Sequence, residues 1–299
     1  MTQARHITLA AVALCAAPAV AQDDPTGPRG AFELEYLRSG DRSDLVLNGD
    51  LGLSHRGAGA GAVGLGFDLG LTSAYNLSEG EDATRFIAAA VLSFGFGELA
   101  VGLPESIGEV LVNRPSFAGN GQVDDALDGL MPPVTGTIAR NRDAQAYGLR
   151  FSAEAGALRY GVSALKVQDL SGVVVEAAGA YALGQGTVEG MLEFGSDSGR
   201  TGGTLGLTQS FGQVDLGAYM GWQRAVARAD SVQASVDYHL SDSLTVGGDI
   251  GRVKQAGVTS NLVGASMEYR FGSGAYGQLG ITDSNRSPVL YDLSVGIRF

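Results

Sequence analysis

The chain has 299 residues, of which 44% are hydrophobic and 17% are charged, and its formal net charge is −12 at pH 7. So acidic a chain is a poor candidate for binding nucleic acid, which selects basic surfaces. After residue 21, no segment approaches the run of about 18 apolar residues that a membrane helix needs. The 46 glycines have no three-residue period, which excludes a collagen-like structure.

Residues 1–21 have the three-part pattern of a secretory signal peptide. The first six residues include Arg5, residues 7–17 are apolar, and small residues precede a cleavage site after Ala21. The apolar run is too short to span a bilayer. We therefore expect residues 22–299 to form the mature protein. Cys15 is removed with the signal, so the mature protein has no cysteine for a disulfide or a thiolate metal site. Loss of Arg5 takes the net charge to −13.

The remainder of the chain alternates between apolar and polar residues with a period of two, which is typical of β-strands. In residues 62–75, for example, Val63, Leu65 and Phe67 alternate with glycines and Asp68. Sixteen such segments are predicted, most of them long enough for a tilted strand to cross a membrane. The predicted strands are 31–38, 44–55, 62–75, 84–95, 97–103, 143–154, 157–167, 173–183, 186–195, 201–211, 213–223, 228–240, 243–253, 258–271, 274–282 and 289–299.

The links between these segments alternate in length. Short links such as FG and LGQG follow every second strand, whereas links such as SGDRS, LSEGEDA and KQAGVTS are longer and polar. Transmembrane barrels have short periplasmic turns and longer outer loops. We therefore predict an all-β fold, a transmembrane antiparallel β-barrel of 16 strands. A soluble β-sandwich is the alternative, but the polar faces carry the charged and small residues that suit a wet lumen, and edge-protecting Pro and Lys are lacking.

One link is much longer than the others. Residues 104–142 contain no convincing strand, and loops of this size are usually functional or disordered. The loop also contains seven large apolar residues, which favours a loop folded back against the inner wall of the barrel. Its acidic residues are candidates for lining the pore: Glu105, Glu109, Asp124, Asp125 and Asp128.

Basic residues for the opposing wall follow from the alternation. Arg85 precedes the apolar Phe86, and Arg150 and Arg159 each lie between apolar residues, so all three point inward if these neighbours face lipid. The other candidates lie within the loop or at its exit: Arg114, Arg140 and Arg142. Guanidinium keeps its charge in crowded sites. The alternative is that these arginines only pair with lumen acids such as Glu154, Glu189, Glu193 or Glu268.

The chain resembles the general porins of Gram-negative bacteria, in particular the 16-stranded porins of alphaproteobacterial type. The resemblance depends on the strand count, the carboxy-terminal Phe299 and the long third outer loop. Within that loop, residues 115–119 (Pro-Ser-Phe-Ala-Gly) are similar to the Pro-Glu-Phe-Gly-Gly motif of the family. Ser116 replaces the acidic residue and Ala118 replaces a glycine.

This resemblance implies a homotrimer whose third loop, here residues 104–142, narrows a water-filled channel. Small hydrophilic solutes and ions would then cross the outer membrane by passive diffusion. Opposed rings of charge in a wide pore select by charge, and the acidic loop and the negative net charge predict a weak cation preference. A non-conducting barrel acting as an adhesin or structural anchor and a substrate-specific channel are the alternatives.

The sequence gives little support for a catalytic or metal-binding function. The mature chain keeps only His55 and His239, and neither is placed at the outer rim, where a barrel hydrolase needs its histidine. We therefore expect no enzymatic activity and no cofactor. The loop aspartates have the oxygen ligands that Ca²⁺ prefers, but they lack EF-hand spacing, so Ca²⁺ in the constriction stays an open alternative.

The last predicted strand must close the barrel. We expect residues 289–299 to pair with residues 31–38, because an open edge is not tolerated in lipid. By resemblance to the family, Phe299 is also the signal that the outer-membrane insertion machinery reads. The predicted surroundings are therefore outer-membrane lipid, with the insertion machinery and a homotrimer as partners.

Overall fold

The structure is a computed structural model, and it describes residues 27–57, 63–119, 123, 127, 132, 144–168, 171–196, 199–224, 228–272 and 274–299. The predicted signal peptide, residues 1–21, lies outside the described residues. Among the residues that are described, no helix is long and apolar enough to cross a membrane.

The described residues form sixteen antiparallel strands, which confirms the predicted fold class. One short helix, α1 (Ile107–Leu111), follows the fifth strand. The strands are β1 (Gly27–Ser39), β2 (Arg42–Arg56), β3 (Val63–Asn76), β4 (Glu81–Phe94), β5 (Gly97–Leu103), β6 (Ala146–Ala155), β7 (Leu158–Val167), β8 (Val174–Leu183), β9 (Gly186–Gly195), β10 (Thr201–Phe211), β11 (Val214–Arg224), β12 (Arg228–Ser241), β13 (Leu244–Gln255), β14 (Val258–Arg270), β15 (Ala275–Ser284) and β16 (Leu290–Arg298).

Each strand pairs with its neighbours in the sequence, and β1 pairs with β16 to close the barrel. Ala31 lies opposite Arg298 and Ser39 lies opposite Leu290. Phe299 extends the closure, because its amide donates to the carbonyl oxygen of Gly30 at 2.9 Å and its own carbonyl accepts from the Gly30 amide at 2.8 Å. The predicted pairing of the last strand with the first is therefore confirmed.

Several predicted boundaries were wrong at strand ends. The first strand begins at Gly27 rather than residue 31, because Gly27 and Pro28 continue the pairing with β2 although they break the alternation. Two links that looked long are tight turns: only Gly40 and Asp41 separate β1 from β2, and only residues 256–257 separate β13 from β14. Polar residues at strand ends continue the hydrogen-bonded ladder but not the apolar–polar alternation. The sequence pattern therefore gives strands that are too short.

The outward face of the wall is apolar. Leu65, Ile250 and Val263 are 70%, 61% and 58% exposed. The residues between the outward apolar side chains point inward and are largely polar or small, as Asp68 and Ser266 illustrate. A soluble protein would not leave so many large apolar side chains exposed on one continuous surface. An apolar exterior around a polar interior is the pattern of a transmembrane barrel.

Among the described residues, four clusters of buried apolar residues lie on the inner side of the barrel, and two of them include residues of the long loop. One joins Ile107 and Leu111 of α1 to Met191 of β9, and its other members are Val112, Ala178 and Tyr219. The second joins Phe117 and Ala118 to Val253 of β13. Apolar packing therefore joins the long loop to the inner wall at two places.

The two faces of one strand should respond differently to the same charge. Val263→Arg places a guanidinium on the apolar exterior near the middle of β14, where the expected loss in the free energy of unfolding is about 2–4 kcal/mol. Ser266→Arg, on the inner face of the same strand, should cost much less because the charge stays in water. Equilibrium unfolding by urea in lipid vesicles measures both. Equal losses would contradict the assignment of faces.

Candidate functional site

The long loop begins with a capped helix on the inner face of the barrel. Ser106 is the N-cap of α1: its hydroxyl accepts the amide of Glu109 at 3.3 Å, and the Glu109 carboxylate accepts the amide of Ser106 at 2.8 Å. This reciprocal pair is a capping box. We call residues 104–119 the inner loop segment. The sequence motif Ser-x-x-Glu could have predicted this helix start, which the alternation pattern alone does not reveal.

Backbone amides of the inner loop segment donate to side chains of the wall. The amide of Gly108 donates to Glu176 of β8 at 3.1 Å, and the amide of Ile107 donates to the Ser163 hydroxyl of β7 at 3.2 Å. Both donors belong to the first turn of α1, whose amides have no partner within the helix. A wall carboxylate and a wall hydroxyl therefore complete the hydrogen bonding of the helix start.

The same arrangement continues further along the segment. The amide of Asn113 donates to Glu189 of β9 at 2.6 Å, and the Asn113 carbonyl accepts the Tyr219 hydroxyl of β11 at 2.8 Å. The amide of Ala118 donates to Asp249 of β13 at 2.9 Å. Hydrogen bonds to charged groups are stronger than neutral ones. Three wall carboxylates thus attach the segment to successive parts of the wall.

Phe117 and Ala118 pack into a slot of glycines on three adjacent strands. A Cβ atom at Gly251 would lie 2.8 Å from Cε2 of Phe117, and one at Gly264 would lie 2.6 Å from Cβ of Ala118. A Cβ atom at Gly280 would overlap the carbonyl oxygen of Ala118. No larger residue fits at these positions unless the segment moves, so the glycines of β13, β14 and β15 are what allow close approach of the loop.

Glycines also face the segment at two earlier positions. A Cβ atom at Gly161 of β7 would lie 2.6 Å from Cδ1 of Ile107, and one at Gly217 of β11 would lie 3.3 Å from Cγ of Pro115. The inner loop segment therefore follows the wall from β7 to β15 in strand order. The residues 115–119 that resemble the porin motif form the end that packs on β13–β15.

The backbone explains one departure from that motif. Ala118 has a φ angle of 53° and Gly119 one of 67°. Positive φ costs a residue with a Cβ atom about 1–2 kcal/mol, whereas glycine adopts it freely. Ala118, where the motif has glycine, therefore holds a strained conformation that the hydrogen bond to Asp249 and the glycine slot stabilise.

Arg85 forms an ion pair with a predicted pore acid. Its guanidinium donates to both carboxylate oxygens of Glu109, and Arg85 is 6% exposed. Burial by itself raises the pKa of Glu109, but the charge of Arg85 and the hydrogen bonds from Arg85 and Ser106 outweigh it, so the pKa lies below its ordinary value. Glu109 therefore stays ionised and serves to bind α1 to β4.

A second group of charges lies beside the first. Arg150 of β6 donates to the carbonyl oxygen of Glu105 at 3.3 Å and to Asp68 at 3.4 Å. Arg56 of β2 also pairs with Asp68, at 2.7 Å, so that one carboxylate bridges two guanidinium groups. Burial and the nearby Glu109 carboxylate raise the pKa of Glu105, against the charge of Arg150. These residues link three strands to the start of the loop.

The other predicted site residues are placed differently. Arg159 is on the inward side of β7 but is exposed, and among the described residues it makes no hydrogen bond to the inner loop segment. Arg114 lies in the segment and donates to Gln233 of β12 at 3.0 Å. Asp124, Asp125, Asp128, Arg140 and Arg142 lie outside the described residues.

The wall carboxylates Glu176 and Asp249 were missed as loop ligands by sequence reasoning. Both alternate with outward apolar residues, so their inward direction follows from the sequence. Their partners do not, because backbone amides of a distant loop have no signature in the sequence.

The inner wall opposite this attachment carries an exposed acid. Asp50 of β2 points inward and is exposed, and β2 lies eight strands from β10 and seven from β11 around the closed barrel. Arg29 of β1 approaches the Glu105 carboxylate at 3.9 Å across this region. Asp50 is therefore a charge that lumen water and solutes can reach.

The two histidines have structural surroundings. Nε2 of His239 lies 2.8 Å from Asp215 and its Nδ1 lies 3.0 Å from the Thr245 hydroxyl, on the inner face near the turn ends of β11–β13. His55 packs on Phe67 at 5.6 Å between ring centroids. Within the described ranges, no three His, Cys, Asp or Glu side chains are grouped closely enough to hold a metal ion.

Solved structures with a similar architecture include porins. A porin refined at 1.8 Å resolution has 22% sequence identity and a TM-score of 0.65, over 91% of this chain and 99% of that chain. An engineered variant of Rhodopseudomonas blastica porin has 13% identity and a TM-score of 0.66 over the same shares. A loop-deletion variant of OmpT, an outer membrane protein of Vibrio cholerae, has 14% identity and a TM-score of 0.64, over 91% and 98%.

No protein-family model and no curated protein sequence matches the chain. At these identities, likeness to solved structures establishes the fold. The chain therefore has the fold of the 16-stranded general porins, as its sequence predicts.

The glycine slot predicts that replacing one of its glycines by a residue with a side chain displaces the loop from the wall. Gly264→Val should displace Phe117 and Ala118, because its Cβ atom alone would overlap Ala118. Hydrogen–deuterium exchange of peptides covering residues 107–119 should then become faster. Gly248→Val on β13 is the control, since its Cβ atom would lie no closer than 3.8 Å to a neighbour. Unchanged exchange in Gly264→Val would contradict the slot.

Removal of Arg85 should reverse the pH dependence of loop attachment, so that the attachment becomes weaker rather than stronger as pH rises. In the native protein the pKa of Glu109 is lowered, so its stabilising contribution is present above its ordinary pKa of 4.5 and is lost as pH falls through the lowered value. In Arg85→Met, desolvation acts without the opposing charge and raises that pKa. Exchange of residues 106–111 should therefore be faster than in the native protein at pH 7 and approach it at pH 4.

Arg159→Met is the matched control, because it removes an exposed arginine from the same wall. It should leave exchange of residues 106–111 unchanged at both values of pH. Equal exchange at pH 7 in Arg85→Met and the native protein would show that the ion pair does not hold α1.

Proposed function

We propose that the protein is an outer-membrane porin, a water-filled channel for passive diffusion of small hydrophilic solutes and ions. The observation that carries the proposal is the lining of the barrel. An apolar exterior surrounds a polar interior, and the inner loop segment binds one side of that interior while Asp50 stays exposed on the other. Likeness to porins and to an outer membrane protein supports an outer-membrane channel in general.

The proposed constriction is the long loop, residues 104–142, of which the inner loop segment is the described beginning. Because the described segment is bound from β7 to β15, we place the proposed open part of the lumen beside the exposed Asp50 of β2. The loop acids Glu105, Glu109, Asp124, Asp125 and Asp128 and the wall arginines Arg85, Arg114, Arg140, Arg142, Arg150 and Arg159 remain the proposed lining. Of these, Glu109 and Arg85 act by fixing the loop rather than by presenting free charge.

We further propose that the channel weakly prefers cations. The chain has 32 acidic residues (Asp and Glu) and 20 basic residues (Lys and Arg). Arg85, Arg150 and Arg56 are engaged with carboxylates, whereas Asp50 is open to the lumen. Fixed charge at a narrow point raises the local concentration of the opposite ion.

The homotrimer and delivery by the insertion machinery belong to the proposal as well. Phe299 stacks on Phe32 at 6.4 Å between ring centroids and completes the closure of the barrel through Gly30. We propose that such machinery reads the aromatic Phe299 at the closing strand. A trimer would open in three conductance steps, and no conductance at all would favour the structural anchor.

Ion selectivity tests the channel directly. Reversal potentials across a planar bilayer with a salt gradient should indicate a modest cation preference, and Asp50→Asn should reduce it because one exposed lumen charge is removed. Asp230→Asn removes a charge from the outward side of β12, where Asp230 pairs with Arg228 at 2.9 Å, and should leave selectivity unchanged. An anion preference in the native protein would contradict the proposal.

A further inference from the structure

A groove crosses the outward surface of four adjacent strands. It has a volume of about 510 Å³ and is lined by side chains of β14, β15, β16 and β1. The lining is almost entirely apolar and includes Met267, Leu279 and Leu293. Pockets of this size bind small ligands or parts of larger ones. The groove lies on the exterior of the wall, so it is separate from the proposed channel.

The strand register explains the shape of the groove. One row across the strands runs Arg38, Tyr291, Ile281 and Ala265, and the next row runs Tyr36, Leu293, Leu279 and Met267. Ala265 pairs in turn with Gly248 of β13. Large side chains thus flank a stretch where one residue has only a methyl group and the next has no side chain. The depression follows from this step in side-chain size.

A basic residue lies where the groove meets the rim. Arg38 is the last outward residue of β1 before the turn at Gly40 and Asp41, and it is exposed. Among the described residues it makes no hydrogen bond or ion pair. A second cavity of about 510 Å³ at the rim shares Arg38 and Tyr291 with the groove and is also lined by Pro288. The apolar groove therefore leads directly to an available guanidinium.

The direction of the barrel places this rim at the outer leaflet. The turn after β1 and the link after β15 lie at the same end as the long loop, which in transmembrane barrels is the outer end. Tyr36 and Tyr291 lie just below the rim, where aromatic side chains mark the boundary between hydrocarbon and headgroups. The guanidinium of Arg38 is thus at headgroup height, and the groove runs from it into the hydrocarbon layer.

We propose that this groove binds an acyl chain of a phosphorylated lipid of the outer leaflet, with Arg38 binding a lipid phosphate. Guanidinium binds phosphate through two parallel hydrogen bonds and keeps its charge at an interface. Two carboxylates lie at the same rim, Asp41 in the adjoining turn and Asp283 of β15, and among the described residues neither forms an ion pair with Arg38. An anionic headgroup above an acyl chain matches both halves of the site.

The test measures lipid binding to the folded barrel. The purified protein is titrated in neutral detergent with a hexa-acylated glucosamine lipid bearing two phosphates, and bound lipid is counted by native mass spectrometry. Arg38→Gln should weaken binding about fivefold, the effect of one basic residue near an anionic lipid surface. Arg42→Gln is the control, because Arg42 follows the same turn but points to the inner face. It should bind like the native protein.

The acyl-chain half of the site has its own variants. Ala265→Phe fills the groove and should weaken binding of both the phosphorylated lipid and its dephosphorylated form, whereas Arg38→Gln should affect only the phosphorylated one. Ala234→Phe, outward on β12, is the matched control, and Ala265→Leu serves if the larger variant does not fold. Conductance should stay unchanged in Arg38→Gln, so failure here is distinguishable from failure of the channel proposal.

Two results would overturn this inference. Unaltered lipid binding in Arg38→Gln would show that the guanidinium is not part of a site. A change in the number of subunits in Arg38→Gln or Ala265→Phe, with lipid binding retained, would assign the groove to contact between copies of the chain.

Discussion

The structure depends on one constraint: in a bilayer, every backbone amide and carbonyl of the wall needs a partner within the protein. Pairing of β1 with β16, extended by the bonds between Phe299 and Gly30, removes the last open edge. Closure in turn gives each strand an inner and an outer face. The period-two alternation then decides which side chains meet lipid and which meet the lumen. The positions of the inner loop segment, the lumen charges and the exterior groove all follow from this separation of inner and outer faces.

The inner face is specialised for holding a loop. Backbone amides of residues 107–118 would lose their water where the segment lies against the wall, and burying an amide without a partner is costly. Three carboxylates of the wall, Glu176, Glu189 and Asp249, accept hydrogen bonds from these amides. Glycines at positions such as 264 let the segment come close enough for those bonds to form. Small residues and acids on the lumen face are therefore part of one attachment, which fixes where open space remains.

This attachment determines which roles the charged residues of the lumen can have. A loop acid and a wall arginine that appear as opposed charges of a filter, Glu109 and Arg85, are bonded to each other. Buried ion pairs contribute less field to a passing ion than exposed charges do, so the proposed selectivity shifts toward exposed residues such as Asp50. On the exterior, the same alternation places Arg38 at the rim of the barrel beside an apolar groove. Side-chain direction, rather than residue type alone, separates these roles.

The sequence by itself determined the strand count, the closing pair and the inward direction of Arg85 and Arg150, because a period of two depends only on neighbouring residues. It also indicated the loop as the exceptional segment. Only the tertiary structure decided the partners: that Glu109 binds Arg85, that Asp249 accepts the Ala118 amide, and that Gly251, Gly264 and Gly280 form one slot. These residues are distant in sequence and meet only after the barrel closes, so no local pattern encodes their contact. The helix at Ile107–Leu111 lies between these cases, since its capping box is local but its position on the wall is not.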